Sequence, residues 1–108
     1  MDDPATILSR LEATIAERRA GDPQASYVAK LNARGTGKMA QKVGEEATEV
    51  VIAALSGTAA DLVGEAADLL FHLMVLLNAR GVPLADVLTE LQRREGTSGI
   101  AEKLSRGA

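Results

Sequence analysis

Apolar residues recur along this chain at spacings of three and four, and nowhere do they alternate one by one. That period belongs to helices rather than strands. Ile7, Leu8, Leu11 and Ile15 form the first stripe. It sits behind Asp3-Pro4, an N-cap followed by a residue that needs no N–H in the first turn, and it runs out at Gly21. Asp22-Pro23 repeats the start signal, and Ser26 to Ala33 reads as a short helix ending near Gly35. Gly35-Thr36-Gly37 breaks the chain before a longer helix closed by Ser56-Gly57. The next helix stops at Gly81 with Pro83 two residues on, a usual stop and restart. Leu84, Val87, Leu88 and Leu91 mark the last stripe. The pattern predicts an all-α fold in one domain over 1–108, with helices near 4–20, 24–34, 38–56, 60–80 and 83–94. The small, polar segment 95–108 is either an ordered lid or a loose tail.

Two of these helices carry an unusual polar pattern. Advancing by about 100° per residue, Val43, Ala47, Val50, Val51 and Ala54 fall on one face of the third helix. Lys42, Glu45, Glu46, Glu49 and Ala53 fall on the adjacent face. On its own this is an ordinary amphipathic helix with a solvated acidic stripe. The fourth helix is apolar almost all round, which predicts burial. Its polar side chains before Asn78 are Asp61, Glu65, Asp68 and His72, all on one narrow stripe. Acids on a buried helix need a cation, a proton or a metal, because an unpaired buried carboxylate costs several kcal/mol. Glu46/Glu49 and Glu65/Asp68 are each spaced i, i+3, so each pair points one way. Two such helices face to face would converge four carboxylates, for which a hard divalent cation such as Mg²⁺ is the simplest partner. Salt bridges to Lys42 or Lys38 are the structural alternative.

Composition narrows the possibilities. Among 108 residues, 46% are apolar, and Phe71 and Tyr27 are the only aromatics, which suits aliphatic helix-on-helix packing. The net charge of −3 gives no electrostatic footprint for nucleic acid. Without cysteine, disulfides and thiolate metal sites are excluded. The start Met1-Asp2-Asp3-Pro4 lacks a signal-peptide pattern, and no apolar run approaches the roughly 20 residues of a membrane span. A cytoplasmic protein with no membrane partner is expected. A chain this short can barely enclose one wholly apolar helix, which predicts a homodimer packed through the central helices.

The residues themselves resemble a known family. Ser26-Tyr27, Lys30-Leu31, Ala40-Gln41-Lys42-Val43-Gly44-Glu45-Glu46 with Glu49, Glu65-Ala66-Ala67-Asp68-Leu69-Leu70-Phe71-His72-Leu73 and Gly96-Thr97-Ser98-Gly99-Ile100-Ala101-Glu102-Lys103 resemble the phosphoribosyl-ATP pyrophosphatases. These belong to the MazG-like all-α nucleotide pyrophosphohydrolases, whose E-E-x-x-E and E-x-x-D signature falls here on Glu45-Glu46-x-x-Glu49 and Glu65-x-x-Asp68. The resemblance runs from about Ser26 to Arg106. It implies Mg²⁺-dependent hydrolysis of phosphoribosyl-ATP to phosphoribosyl-AMP and pyrophosphate, the second step of histidine biosynthesis. It also implies the stand-alone form, since no Cys or His cluster is present for the zinc of the cyclohydrolase to which many relatives are fused.

On this reading Glu46, Glu49, Glu65 and Asp68 hold metal, and Glu45 and Glu49 are the candidates for catalysis. Glu45 is open between ligand, base and exposed carboxylate. His72 is expected in a structural or supporting role, because Mg²⁺ prefers carboxylate oxygen to imidazole. Lys42 is the first choice for phosphate, followed by Lys38, Lys30 and Arg34. Tyr27 joins the substrate-binding set by analogy, with ring packing against the core as the alternative. Gly35-Thr36-Gly37 offers either backbone N–H groups to an anion or a plain turn. The rival activities are hydrolysis of other nucleoside triphosphates at the same metal site, or a non-catalytic helical dimer. A di-iron bundle is disfavoured, because its Glu-x-x-His spacing is missing.

Overall fold

The computed structural model describes residues 6–96 together with Gly99, Lys103 and Leu104. Five helices follow one another: α1 Ile7–Arg18, α2 Tyr27–Arg34, α3 Thr36–Ser56, α4 Ala59–Ala79 and α5 Leu84–Arg94. No strand occurs among the described residues, so the fold is all-α. The Asp3-Pro4 start signal lies outside the described residues, as does most of 95–108, including Thr97 and Ser98. No helix among the described residues is long and apolar enough to cross a membrane.

The helix ends follow from local chemistry. The Ser26 side chain accepts from Ala29 N–H and caps α2. The break before α3 is a single residue, Gly35, at φ 93°, a backbone conformation that favours glycine. Thr36 and Gly37, expected in the break, are already helical. Thr58 and Asp61 form a reciprocal capping box at the start of α4. At the other end Gly81 N–H bonds to Asn78 O, and Val82 N–H bonds to Leu77 O. With Gly81 at φ 69° this is the Schellman closure. Pro83 gives α5 no side-chain cap, and Glu12 of α1 supplies one from a distance, its carboxylate accepting from Leu84 N–H at 2.7 Å.

Helices α3 and α4 form a long hairpin and pack most extensively on each other, while α1 lies on α4 and α2 on α3. The core is Ile15, Val28, Leu31, Met39, Met74 and Val75, with Leu8, Leu11, Phe71, Leu76, Ala79 and Leu84 packed around it. It therefore fills the end of the hairpin that α1 and α2 cover. Among the described residues, no third helix packs extensively on the opposite end. There Val51 is 55% exposed, Leu55 84% and Val63 70%.

The α3 face of Val51 and Ala54 is turned outward, and the buried residues of the helix are Met39, Glu46 and Ala53. Val43, Ala47 and Val50 of the apolar stripe are half-buried, and of the acidic residues beside them Glu46 alone is buried. The girdle of α4 is likewise only partly covered, with Val63 and Leu70 exposed. Replacing Thr58 with Ala removes the cap that starts α4 and should lower unfolding free energy by about 1 kcal/mol. Urea denaturation followed by circular dichroism measures this, and an unchanged midpoint would contradict the capping role.

Candidate active site

The acidic stripes of α3 and α4 meet inside the hairpin. Glu46, Glu49 and Glu65 each place a carboxylate oxygen so that all three lie within 4.8 Å of one another. Glu46 is 7% exposed and Glu65 half-buried, while Glu49 is exposed. One oxygen of Glu46 and one of Glu65 are buried without a hydrogen-bond partner. Such atoms are rare in folded proteins, and each points to a missing donor or ion. Asp68, one turn beyond Glu65, is exposed and stands outside this three-carboxylate group.

Nearby positive charge is limited. Lys42 reaches Glu46 at 3.5 Å and Glu45 at 3.3 Å. The salt bridge that was the structural alternative is thus present, but one shared ammonium faces three clustered carboxylates. Like charges at this separation repel unless something positive intervenes. The donor set is all oxygen, which fits a hard divalent cation and suits neither zinc nor copper. A cation bound here would meet Glu46, Glu49 and Glu65 first, with Asp68 on the same face of α4 as Glu65.

Glu45 belongs to a different arrangement. It accepts from the Gln41 amide at 2.7 Å and from Lys42 at 3.3 Å. The Gln41 hydrogen bond, with Lys42 next, holds its carboxyl below the ordinary range. The bond to Glu45 in turn raises Lys42 above its usual value, so its charge is secure. Gln41 is absent from the candidate set read from the sequence, although its i, i+4 spacing to Glu45 is the signal that finds it.

Two cavities flank the carboxylates. One of about 230 Å³ is lined by Glu49, Ile52, Ala53, Ser56, Gly57, Asp61 and Glu65. The other, of about 160 Å³, is lined by Tyr27, Lys30, Leu31, Arg34, Lys38 and Lys42. All five residues expected to bind substrate therefore share one wall. Lys38 lies in the first turn of α3, where the opening N–H groups lack intrahelical acceptors and the helix dipole favours an anion. Lys42 lines the basic cavity and also pairs with Glu46, so it links the two regions. His72 is buried behind them, with Nδ1 2.8 Å from Asp68 O and Nε2 2.9 Å from the Tyr27 hydroxyl. It approaches the carboxylates only through a backbone carbonyl.

Comparison with known proteins agrees with this geometry. A family profile described as phosphoribosyl-ATP pyrophosphohydrolase matches residues 8–95. A phosphoribosyl-ATP pyrophosphatase of Novosphingobium aromaticivorans is 77% identical over 93% of this chain and 94% of its own length. Proteins of the same name from Erythrobacter litoralis and Rhizorhabdus wittichii are 69% and 67% identical, over 93% and 92% of this chain and 96% and 93% of their own.

The repulsion within the cluster generates a test that needs no substrate. A divalent cation at about 100 times its dissociation constant should stabilise the protein by about 2.7 kcal/mol, raising its melting temperature. Glu65→Gln should lose that gain. In the metal-free protein the same change removes one of three repelling carboxylates, so the melting temperature should hold or rise. Thermal melts with and without the cation check both arms.

Proposed function

Because this chain belongs to the phosphoribosyl-ATP pyrophosphohydrolase family, we propose that it hydrolyses phosphoribosyl-ATP to phosphoribosyl-AMP and pyrophosphate, the second step of histidine biosynthesis. The observation that carries this reading is the partly buried carboxylate cluster of Glu46, Glu49 and Glu65 joined through Lys42 to a cavity walled by cations. A polyphosphate needs both, because cleaving a phosphoanhydride gathers negative charge on the oxygens around the reacting phosphorus.

The residues divide the work as follows. Mg²⁺ held by Glu46, Glu49, Glu65 and Asp68 would supply charge neutralisation at the phosphoryl oxygens. Lys38, Lys30 and Arg34 draw the phosphates into the basic cavity, and Lys42 positions them beside the carboxylates. Glu49 is the favoured base. It is the exposed member of the cluster and can reach a solvent molecule. Glu45 is a weaker base while Gln41 and Lys42 hold its carboxyl down, and its role is to fix Lys42. Water attacks a phosphorus of the anhydride, its oxygen joins that phosphorus, the P–O–P bridge breaks, and the water proton passes to the base.

We also propose a partner for this chain. Val51, Ile52, Leu55, Val63 and Leu70 stand exposed along the α3–α4 hairpin, a pattern that marks an interaction surface. A second copy of the chain offers the same apolar face in return, so the proposed assembly is a homodimer.

Three outcomes test the reading. Glu49→Gln and Asp68→Asn should each abolish pyrophosphate release while leaving the far-ultraviolet helical signal intact, and near-normal turnover in either removes that residue from the site. Chelation with EDTA should stop turnover and added Mg²⁺ restore it. Leu55→Glu should convert a dimer to a monomer in sedimentation at micromolar concentration; a parent protein that is already monomeric would refute the assembly.

A further inference from the structure

His72 and Tyr27 are the single histidine and single tyrosine of the chain, and the Nδ1 contact of His72 sets the direction of their hydrogen bond for the neutral ring. The His72 Nδ1 lies 2.8 Å from Asp68 O. A carbonyl oxygen only accepts, so Nδ1 carries the ring proton. In the neutral imidazole Nε2 is then a bare acceptor, and the Tyr27 hydroxyl 2.9 Å away donates to it. With its one proton committed to His72, the phenol oxygen offers other partners only lone pairs. The ring is held in place as well. It stacks on Phe71 with centroids 6.1 Å apart and meets the His72 ring edge-on at 5.6 Å. His72 itself is 7% exposed, whereas Tyr27 is 48% exposed and lines the basic cavity.

An acceptor set among Lys30, Arg34, Lys38 and Lys42 has the wrong polarity for phosphate, because phosphoryl oxygens are acceptors too. The group that complements it is a donor lying a few bonds from a phosphate. In a nucleotide that group is a sugar hydroxyl. We propose that Tyr27, fixed as an obligate hydrogen-bond acceptor by His72, receives a ribose hydroxyl of the bound nucleotide while the surrounding cations hold its phosphates. This rests on the reading above that the substrate is a ribonucleotide polyphosphate. His72 is then a positioning residue for sugar recognition, acting through Tyr27. The device selects ribose over deoxyribose, which separates this protein from a hydrolase of deoxynucleoside triphosphates.

The test uses the full chain and does not depend on turnover. Nitrogen-15 spectra of the lone histidine should show the proton on Nδ1, and Tyr27→Phe should shift the Nε2 resonance. Calorimetric binding of ATP, 2′-deoxy-ATP and 3′-deoxy-ATP, each with Mg²⁺, should show one deoxy form about five- to tenfold weaker than ATP. The preference should vanish in Tyr27→Phe, which keeps the ring and its stack, and in His72→Asn, which retains a donor toward Asp68 O and loses the acceptor toward Tyr27. The proposal is overturned by a proton on Nε2, by no ribose preference in the parent protein, or by a preference that survives Tyr27→Phe. An equal loss for all three nucleotides in that variant overturns it too, because the tyrosine then acts through Lys42 instead. Turnover of phosphoribosyl-ATP, measured alongside, tests the activity separately.

Discussion

Carboxylates buried between two helices repel each other, and the arrangement around α3 and α4 is an answer to that repulsion. Glu46, Glu49 and Glu65 converge within 4.8 Å, and Lys42 is shared between Glu46 and Glu45 outside the cluster. A hairpin folded around hydrophobic contact alone would turn Val51 and Ala54 inward. Here Glu46 is buried and those two apolar residues face out, while Val43, Ala47 and Val50 stay half-buried. The cost of holding the charges together is met at the other end of the hairpin, where α1 and α2 enclose Ile15, Leu31, Met39, Met74 and Val75. Stability is thus separated from chemistry along the length of two helices.

That separation explains the exposed surface. Among the described residues, no third helix packs extensively over the end of the hairpin that carries the carboxylates, and its outer face is aliphatic. Apolar burial is worth roughly 25 cal/mol per Å², so covering Leu55, Val51 and Val63 with a second copy would brace the same segments whose inner faces repel. The proposed dimer would then be coupled to the proposed metal site: closing the apolar face would press the hairpin together from outside, and a cation would draw it together from inside.

How much of this the sequence showed depends on the range of the interaction. Helix ends are local, and Ser26, Gly57, Gly81 and Pro83 marked them within a residue or two. Thr36 and Gly37 misled, because glycine propensity suggested a three-residue break where Gly35 alone supplies the turn. The carboxylate spacing was legible because i, i+3 on a helix fixes direction. Which of the four carboxylates come closest together was not, since that depends on how α4 is set against α3. Asp68 shows the same limit: it shares the E-x-x-D spacing with Glu65 yet stands outside the cluster. The Tyr27–His72 contact joins residues 45 positions apart, and nothing in the spacing of either announces the other.

Charge changes sign along the site, and that order constrains how a nucleotide lies in it. The carboxylates sit on one side of Lys42 and the basic cavity on the other. In the proposed reading, a polyphosphate with its charge toward Lys30, Arg34 and Lys38 would reach the carboxylates at the end nearest Lys42, and the carboxylates there would hold the divalent cation that neutralises it. Glu45 keeps Lys42 charged and in place by a bond that Gln41 reinforces, so the pivot between the two regions is itself braced. Anchoring the sugar at Tyr27, as proposed, would then fix how far along this gradient the phosphates extend. A group that only reads a hydroxyl would thereby help decide which phosphoanhydride lies beside the carboxylates.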